Sequence, residues 1–511
     1  MFTKSLWNAY SGTTDFPSLQ GDITVDTAII GGGVTGISAA CRLAGNGRKV
    51  AVLEALKVGG GTTGHSTGNL YVTVDHTLSA LCSKYDPETA KRVVAARTHG
   101  LRVIEENVAR YGLDCDFTPC DWYLYSDHVK SDGRVGNELQ FAREAGLDVA
   151  EETGQLPFAY SRAMRLAGQA QFNPLRYVQA LANAIQSDKC RIHEFTKAEA
   201  IEEKNGACIV QTRDGRVRAE HVLHATHTPK GIMLVQTLLG PYREYGIACR
   251  LKSELPRQGI FWGYTESGEK YSTRSFIRGR ERFLIVVGQP HKVGQAQNNK
   301  QCLANLEKFA GRHFPVTEVV YRWGGQHYRP ADMLPYIGRT DRGSNVFIAT
   351  GYSTDGLVYG SLAGSILADL VAERTNPWTE LFDPSRNQPL KAAKNFIKEN
   401  VNVAGQYLKD LPGVADAADF SSVKAGEGKV VEVDRQKLAV YRTRSGQLMI
   451  RSAVCTHLSC IVNWNDAEET WDCPCHGSRF KLDGTVLEGP AIHALHKVEI
   501  RGDDVKTKHT Q

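Results

Sequence analysis

The sequence predicts an α/β protein in which a doubly wound domain carries a mixed β-sheet and a small all-β domain follows. Three observations support this fold class. A strand, a glycine turn, a helix and a second strand succeed one another over residues 27–54. The middle of the chain contains strand-like apolar runs such as residues 283–287, within a predicted sheet region at about 160–330. From Val430 onward the chain changes to short strands and turns, and four of its twelve cysteines crowd into residues 455–475.

The glycine turn predicts a nucleotide-binding unit. Gly31, Gly33 and Gly36 follow an apolar strand and open a helix of small residues. Glycines at this spacing let the backbone approach a pyrophosphate, which the N–H groups and dipole of the helix favour. Glu54 ends the next strand, where its carboxylate accepts hydrogen bonds from ribose hydroxyls and disfavours a 2′-phosphate. These residues predict FAD or NAD, and not NADP, in a Rossmann-like domain.

Later elements complete this domain. Asp86 as N-cap and Pro87 at the first helical position predict a long helix over residues 87–111. Residues 345–350 have the pattern of a buried strand, and a helix is predicted from about Gly356. A further helical stretch at 391–409 leads into a small, polar linker.

The crowded cysteines predict a metal site. Cys455-x-His457 and, after fifteen intervening residues, Cys473-x-x-His476 supply two thiolates and two imidazoles. This set suits a [2Fe–2S] cluster with both cysteines on one iron and both histidines on the other. A structural zinc site of Cys/His type is the alternative.

The residues around these ligands add detail that a zinc site does not need. Cys460 and Cys475, one on each ligand loop, are candidates for a disulfide that clamps the loops together. Ser478 can donate towards a cluster sulfur, and residues 489–491 can cover the cluster as a third loop. The two motifs resemble the Rieske proteins of quinol-oxidising cytochrome bc complexes. Phe480 stands where that family commonly has a tyrosine, which suggests a somewhat lower reduction potential.

Three segments resemble the D-amino-acid-oxidase-like (DAO) family of FAD enzymes over about residues 25–375. They are residues 61–69, residues 332–338 and the loop 351–356. Within that family, the whole chain resembles bacterial FAD-dependent oxidoreductases fused to a C-terminal Rieske domain. The resemblance implies FAD, with the helix that begins at Gly356 facing the flavin, against the alternative of an ordinary packing helix. The implied FAD-binding residues are Gly31, Gly33, Val34, Thr35, Gly36, Glu54, Thr63, His65, Ser66, Asn69, Gly351, Asp355, Gly356 and Leu357.

His65 has a second interpretation within this resemblance. In the dimethylglycine and sarcosine dehydrogenases of the family, a histidine at the corresponding spacing bonds covalently to FAD. The alternative is a loop histidine that lines the pyrophosphate.

The predicted domain boundaries follow from these assignments. A DAO-type oxidoreductase is expected at 1–410, a linker at 411–422 and a Rieske domain at 423–511. The FAD-binding parts are expected at about 25–75, 190–230 and 335–375. The substrate sheet is expected at about 75–190 and 230–335.

The substrate residues depart from the family pattern. Amino-acid-oxidising members carry an arginine that clamps the substrate carboxylate, and His327 occupies that position here, with Arg329 two residues on. Tyr271 and Arg274 are further candidates on the substrate side, although structural roles are the alternative for both.

The resemblance implies a dehydrogenase that oxidises a C–N bond of an amine or amino acid. Electrons would pass from FAD through the cluster to an external one-electron carrier, ferredoxin-like or cytochrome-like. One alternative is an electron-transfer reductase component that serves a separate oxygenase, although no second glycine fingerprint for NADH is visible. The other is a non-catalytic redox sensor.

Composition limits the other functions. The net charge is +5 with no long basic run, so nucleic acid is not an expected partner. No apolar stretch approaches the length of a membrane span, and the first residues do not resemble a secretory signal. A cytoplasmic location is therefore expected.

Overall fold

The structure, a computed structural model, describes residues 4–204, 206–231, 233–386, 420–501 and 504–508. The helix predicted at 391–409 and residues 411–419 of the predicted linker lie outside these ranges. The described helices are α1 Leu6–Tyr10, α2 Val34–Gly45, α3 Leu78–Lys84, α4 Pro87–Tyr111, α5 Asp132–Glu144, α6 Pro174–Ile185, α7 Asn299–His313, α8 Gly356–Val371 and α9 Thr379–Phe382. Short 3-10 helices lie at Thr62–His65, Val129–Ser131 and Leu234–Leu238.

The strands form four sheets. They are β1 Ile23–Ile30, β2 Val50–Leu53, β3 Asn69–Leu70, β4 Thr118–Ser126, β5 Val149–Glu152, β6 Arg162–Gln171, β7 Cys190–His193, β8 Ala200–Lys204, β9 Ala207–Gln211, β10 Arg216–His224, β11 Leu239–Leu251, β12 Ile260–Tyr264, β13 Lys270–Arg278, β14 Glu281–Lys292, β15 Val316–Pro330, β16 Tyr336–Arg339, β17 Val346–Thr350, β18 Gly428–Val433, β19 Gln436–Arg442, β20 Leu448–Ser452, β21 Asn463–Asn465, β22 Thr470–Asp472, β23 Arg479–Phe480, β24 Val486–Glu488, β25 Lys497–Arg501 and β26 Asp504–Lys508.

The first sheet is the doubly wound core that the sequence predicts. Its order is β16-β17-β10-β1-β2-β7, with β8 and β9 attached beside β10. β1 pairs in parallel with both β2 and β10, and β10 pairs in parallel with β17. The last four residues of β1 and all of β2 are buried, as expected of central parallel strands covered by helices.

Helices α2 and α8 pack against each other on this sheet at unusually short range. A Cβ at Gly360 would lie 2.7 Å from Cγ1 of Val34, and a Cβ at Gly364 would lie 2.7 Å from Cβ of Ser38. The two glycines of α8 therefore let its backbone approach the helix that follows the glycine turn.

The long helix α4 begins and ends as the sequence predicts. The Asp86 carboxylate accepts from the backbone N–H of Thr89, Pro87 is the first helical residue, and Gly112 ends the helix in the left-handed conformation.

The second sheet has the order β15-β11-β14-β13-β12-β4-β6-β3, with β5 beside β6. Most of its neighbouring strands are antiparallel, while β12 and β4 run in parallel, so the sheet is mixed. Strands β11 and β15 pair along almost their whole length and form one end of the sheet.

The C-terminal part is all-β in its described residues. It contains a five-stranded sheet, β18-β19-β20-β25-β26, and a four-stranded sheet, β21-β22-β23-β24. The predicted fold class is thus confirmed: an α/β doubly wound part, a mixed sheet and a small all-β domain. None of the helices in the described ranges is long and apolar enough to cross a membrane.

Candidate functional site

The glycine turn forms a tight cradle at the start of α2. Gly31 has φ of 107°, and a Cβ there would lie 2.5 Å from the carbonyl oxygen of Ala225. A Cβ at Gly36 would collide with the carbonyl of Gly31. Only glycine fits these two positions, so the backbone turns sharply and can approach an anionic group at the N-terminus of α2.

Glu54 lies at the end of β2 beside this cradle. Its carboxylate accepts hydrogen bonds from the backbone N–H groups of Gly32, at 2.7 Å, and Leu56, at 2.8 Å. Burial raises the pKa of Glu54, and the two N–H donors oppose that shift. The carboxylate is therefore fixed where the sequence places the ribose of a nucleotide.

The segment 61–69 lines the same region. The Thr63 hydroxyl accepts from the N–H of Val34 at 3.1 Å, which ties the segment to α2. The Ser66 hydroxyl donates to the carbonyl of Thr63 at 2.8 Å. Oδ1 of Asn69 is buried and has no hydrogen-bond partner among the described residues, so it can accept from a bound molecule.

His65 is half-buried in this segment, and its Nδ1 lies 2.8 Å from the carbonyl oxygen of Gly61. A covalent bond from His65 to FAD stays a prediction. Acid precipitation decides it, because a covalently bound flavin stays in the protein pellet.

Asp355 fixes the loop before α8 through contacts with Tyr71, Asp75 and Arg97. The Asp355 carboxylate accepts from the Tyr71 hydroxyl at 2.7 Å and the Asp75 backbone N–H at 3.0 Å. The guanidinium of Arg97, which is fully buried, lies 3.5 Å away. These contacts fix the loop, and the FAD-binding role predicted for Asp355 stays a prediction. Gly351 has φ of 79°, which allows the turn into α8.

The four predicted cluster ligands come together in the C-terminal part. Cys455, His457, Cys473 and His476 are all buried, and the two imidazole rings lie 4.9 Å apart. A hydrogen bond between the Cys455 and Cys473 thiols lowers the pKa of Cys455 and raises that of Cys473.

Nδ1 of each histidine is buried without a hydrogen-bond partner among the described residues. Burial lowers the pKa of His457, and it lowers that of His476 to about 4, so both imidazoles are neutral, as metal ligands must be. Two orphaned nitrogens beside two thiols fit a cluster with two sulfur and two nitrogen ligands.

The surroundings of these ligands match the sequence prediction. Cys460 and Cys475 form a disulfide between the two ligand loops. The Ser478 hydroxyl bonds to the Cys455 thiol and accepts from the N–H of Ala491 at 3.0 Å. The third loop, residues 489–491, therefore does lie against the ligand loops.

One face of the β11–β15 strand pair carries the predicted substrate residues. His327 pairs with Tyr242 and their rings stack, while Arg329 lies over the Tyr242 ring at 4.3 Å. Nε of Arg329 donates to Nε2 of His327 at 3.2 Å. The same face contacts the segment 61–69, because Nε1 of Trp323 donates to the carbonyl of His65 at 2.9 Å.

Several charges surround this face. Lys270 and Asp75 form an ion pair at 2.6 Å. Burial raises the pKa of Asp75, but Lys270, His76 and Arg329 together outweigh it and lower that pKa. Glu244 belongs to the same face and is half-buried. Burial and the neighbouring Asp75 raise the pKa of Glu244 to about 7. Neither Glu244 nor Arg329 has an oppositely charged side chain within salt-bridge distance among the described residues.

Tyr271 and Arg274 do not join this group. The Tyr271 ring stacks on Phe309 of α7 at 4.1 Å, and its hydroxyl bonds to Glu269 at 3.3 Å. Arg274 is fully buried and donates to the carbonyl of Phe172 at 3.2 Å, and burial lowers its pKa to about 9.

Comparison with known proteins identifies the family. A family model described as FAD dependent oxidoreductase (DAO) matches residues 26–370. The chain belongs to the DAO family of FAD-dependent oxidoreductases. In this DAO-family enzyme, a second model described as Rieske [2Fe-2S] domain matches residues 414–499. The predicted family, enzyme class and cofactors are confirmed: the enzyme uses FAD, not NAD, and a Rieske [2Fe–2S] cluster rather than zinc.

Individual proteins agree with this assignment. The Rieske 2Fe-2S iron-sulfur protein YhfW of Bacillus subtilis (strain 168) is 30% identical over 502 residues, which cover 97% of the DAO-family chain and 98% of YhfW. Gamma-glutamylputrescine oxidoreductase of Escherichia coli (strain K12) is 25% identical over 72% of the chain and 88% of its own length. The crystal structure of glycine oxidase from Geobacillus kaustophilus shares the fold, with a TM-score of 0.58 at 21% identity over 71% of the chain and 99% of that structure.

Sequence reasoning missed Glu244, Tyr242 and the Lys270–Asp75 pair of this DAO-family enzyme. Tyr242 and Glu244 are two residues apart on a strand, so they share a face. That alternation is visible in the sequence. The register that sets them opposite His327 and Gly325 is a long-range pairing that the sequence does not reveal.

Proposed function

We propose that this enzyme is a dehydrogenase that oxidises a C–N bond of an amine or amino acid and passes the electrons through the Rieske cluster to an external one-electron acceptor. A ferredoxin-like or cytochrome-like carrier has the one-electron chemistry that the acceptor needs. One observation carries the proposal: the β11–β15 strand pair separates a charged substrate face from the domain that holds the cluster ligands.

The other face of the strand pair contacts the Rieske domain. The Gln326 amide donates to the carbonyl of Gly477 at 2.8 Å, and the Tyr328 hydroxyl lies 3.4 Å from the carbonyl oxygen of His476. The Tyr245 hydroxyl bonds to Asn465 at 3.2 Å. Because side chains alternate along a strand, these residues point away from His327 and Arg329.

A buried ion pair reinforces this contact. The guanidinium of Arg243 and the carboxylate of Glu468 are 1% and 8% exposed and bond to each other. Arg479 of the Rieske domain bonds to the same carboxylate at 3.0 Å. Removing either member of this pair would leave a buried charge unpaired, so the docked interface requires both residues.

FAD would be held by the Gly31–Gly36 cradle, Glu54 and the segment 61–69, and the cluster by Cys455, His457, Cys473 and His476. When bound, FAD accepts a hydride from the substrate and the cluster carries single electrons. The protein supplies orientation and charge. We propose the domain division of 1–410, 411–422 and 423–511 with these sites.

The proposed substrate face carries a cationic side chain, Arg329, and an acidic side chain, Glu244. Arg329 lies two residues from His327, so it faces the same side as the family's carboxylate-binding position and is the proposed carboxylate clamp. Glu244 provides a carboxylate for the ammonium of an amine. The relatives named for gamma-glutamylputrescine and glycine support a substrate of this class.

One anaerobic experiment tests the proposal against its rivals. The purified enzyme is mixed with NADH or with a panel of amines and amino acids, and the visible flavin absorbance is followed. Bleaching by an amine or amino acid supports the dehydrogenase. Bleaching by NADH alone would indicate a reductase component for a separate oxygenase, and no bleaching by either would indicate a redox sensor.

A further inference from the structure

A segment of the oxidoreductase domain reaches the cluster ligand His457. It follows β10 and includes Gly231 and Gln236. Nε2 of His457 lies 3.2 Å from the carbonyl oxygen of Gly231 and 3.1 Å from Oε1 of Gln236. Gln236 is 4% exposed, so water competes little for this contact.

The orientation of the Gln236 amide is fixed by its other partners. Its Nε2 donates to the carbonyls of Pro229 and Gly231, at 2.9 and 2.8 Å. Its Oε1 accepts from the backbone N–H of Met233 at 3.1 Å. A flipped amide would set its NH₂ group against that N–H and its oxygen against two carbonyls. The atom that faces His457 is therefore an acceptor.

Two acceptors at Nε2 determine the tautomer of His457. A carbonyl oxygen cannot donate, so Nε2 must carry the hydrogen. The lone pair of the neutral ring is then on Nδ1, which is buried without a partner among the described residues and is free to bind iron.

The two histidines differ in this respect. Within the described residues, Nε2 of His476 has no hydrogen-bond partner, whereas Nε2 of His457 has two. Among the described residues, the oxidoreductase domain therefore bonds to the imidazole of His457, whereas it reaches His476 through the backbone carbonyl.

We propose that Gln236 is a positioning residue for the cluster: it holds His457 in the iron-binding tautomer and lowers the reduction potential of the cluster. The inference rests on the proposed ligand role of His457. An acceptor on the outer N–H makes an imidazole a stronger electron donor, which stabilises the oxidised metal site. A potential set in part by the oxidoreductase domain would exist only while the two domains are docked.

The test compares three variants of the full chain. Gln236→Glu keeps an acceptor oxygen, adds negative charge and loses the NH₂ donor to the Pro229 and Gly231 carbonyls. Gln236→Met removes one of the two acceptors at similar size and leaves the Gly231 carbonyl in place. Leu234→Ala changes a side chain that is 83% exposed in the same 3-10 helix. The midpoint potential of the cluster is measured by mediated redox titration with EPR detection, without substrate. Pulsed EPR of the remote histidine nitrogens reports hydrogen bonding at Nε2.

We expect a lower potential in Gln236→Glu, a higher one in Gln236→Met and no change in Leu234→Ala. The remote-nitrogen signal of one histidine should change in both Gln236 variants. Potentials and nitrogen signals equal to those of Leu234→Ala would overturn the inference and leave the dehydrogenase proposal standing. A wild-type protein with no rhombic Rieske signal would overturn the ligand assignment as well.

Discussion

On the proposed substrate face, Glu244 is a residue whose charge changes near neutral pH. Its pKa is raised to about 7 because it is buried and close to Asp75, and because Asp355 adds to this, while Arg329 and Lys270 oppose it. The carboxyl is protonated below that pH and ionised above it. Attraction for a substrate ammonium is thus present at high pH and lost as the pH falls through about 7.

The first prediction concerns this carboxyl. The kcat/KM for an amine substrate should rise as the pH increases through about 7, and Glu244→Gln should abolish that rise. A lost charge-assisted hydrogen bond of about 1.5–3 kcal/mol lowers kcat/KM at high pH by roughly tenfold to a hundredfold. Steady-state kinetics across pH measure both effects, with the exposed Glu254→Gln as control. If kcat/KM of Glu244→Gln still rises through about pH 7, the pH dependence belongs to another group.

The second prediction concerns the cluster ligands. Cys455→Ser or His476→Ala should abolish the visible and EPR signals of the cluster while FAD stays bound, because the ligands lie outside the FAD cradle. Absorbance and EPR spectroscopy of the purified variants measure this. Cys82→Ser, at a free cysteine of α3, should keep both cofactors. A normal cluster signal in either ligand variant contradicts the assignment.

Residues with local signals were the ones that sequence reasoning found. Cys455, His457, Cys473 and His476 lie in two short motifs, and the structure brings the four together. Gln236 has no such signal. It is an ordinary glutamine until the fold places it beside a ligand more than two hundred residues away.

Among the secondary-structure elements, the packing of α8 against α2 sets the position of the FAD cradle. A Cβ at Gly364 would lie 2.7 Å from Cβ of Ser38 and 2.8 Å from the backbone nitrogen of Ala39. Backbone atoms cannot move aside as the end of a flexible side chain can. The helices would have to separate, and the N-terminus of α2 would shift with them.

The third prediction follows from this contact. Gly364→Ala should destabilise the oxidoreductase domain by about 1–3 kcal/mol, the usual cost of overpacking, and weaken FAD retention. Thermal unfolding followed by flavin fluorescence measures both. Gly311→Ala in α7 is the control, because a Cβ there meets nothing within 4 Å. This variant should raise the free energy of unfolding by about 0.5–1 kcal/mol. Equal midpoints for the two variants would contradict the tight-packing argument.

Elements with strong local patterns were predicted closely. The α4 cap residues, the strand–glycine–helix unit of β1 and α2, and the start of α8 all follow from nearby sequence. The order of the strands in the second sheet was not predictable, because β11 pairs with β15 across some eighty residues. Such pairing depends on the whole tertiary fold rather than on local preference.

At the scale of the whole molecule, the two domains are docked to each other through side-chain contacts. The sequence predicts both domains and both cofactors, and the family matches confirm them. It does not predict how they dock. The interface consists of polar residues such as Gln326, Tyr328 and Arg243, whose partners lie more than a hundred residues away.

The fourth prediction is that the enzyme is a poor oxidase. A cluster with two histidine ligands has a higher potential than one with four cysteines, so electron transfer from reduced flavin is favourable. Substrate added without oxygen should bleach the flavin and also produce the EPR signal of a reduced Rieske cluster. In air with a one-electron acceptor, peroxide should account for a small part of the substrate oxidised.

A cluster-free variant provides the control. In Cys455→Ser the route through the cluster is absent, so oxygen should become the main acceptor and the yield of peroxide should rise. If the wild-type flavin bleaches while its cluster stays oxidised, and peroxide forms at full rate in air, the proposed route is wrong.

The two-sided use of β11 and β15 restricts how this sequence can diverge. A shift of one residue in either strand would turn substrate groups towards the Rieske domain and interface groups towards the substrate. Changes that move a functional side chain along β15 are therefore tolerated only in steps of two residues. His327 occupies the family's arginine position, and Arg329 lies two residues further along β15. A shift of two residues keeps the arginine on the same face of the strand. Single-residue insertions or deletions in residues 239–248 and 321–330, where β11 and β15 pair without a register shift, should be absent from functional relatives that keep both domains.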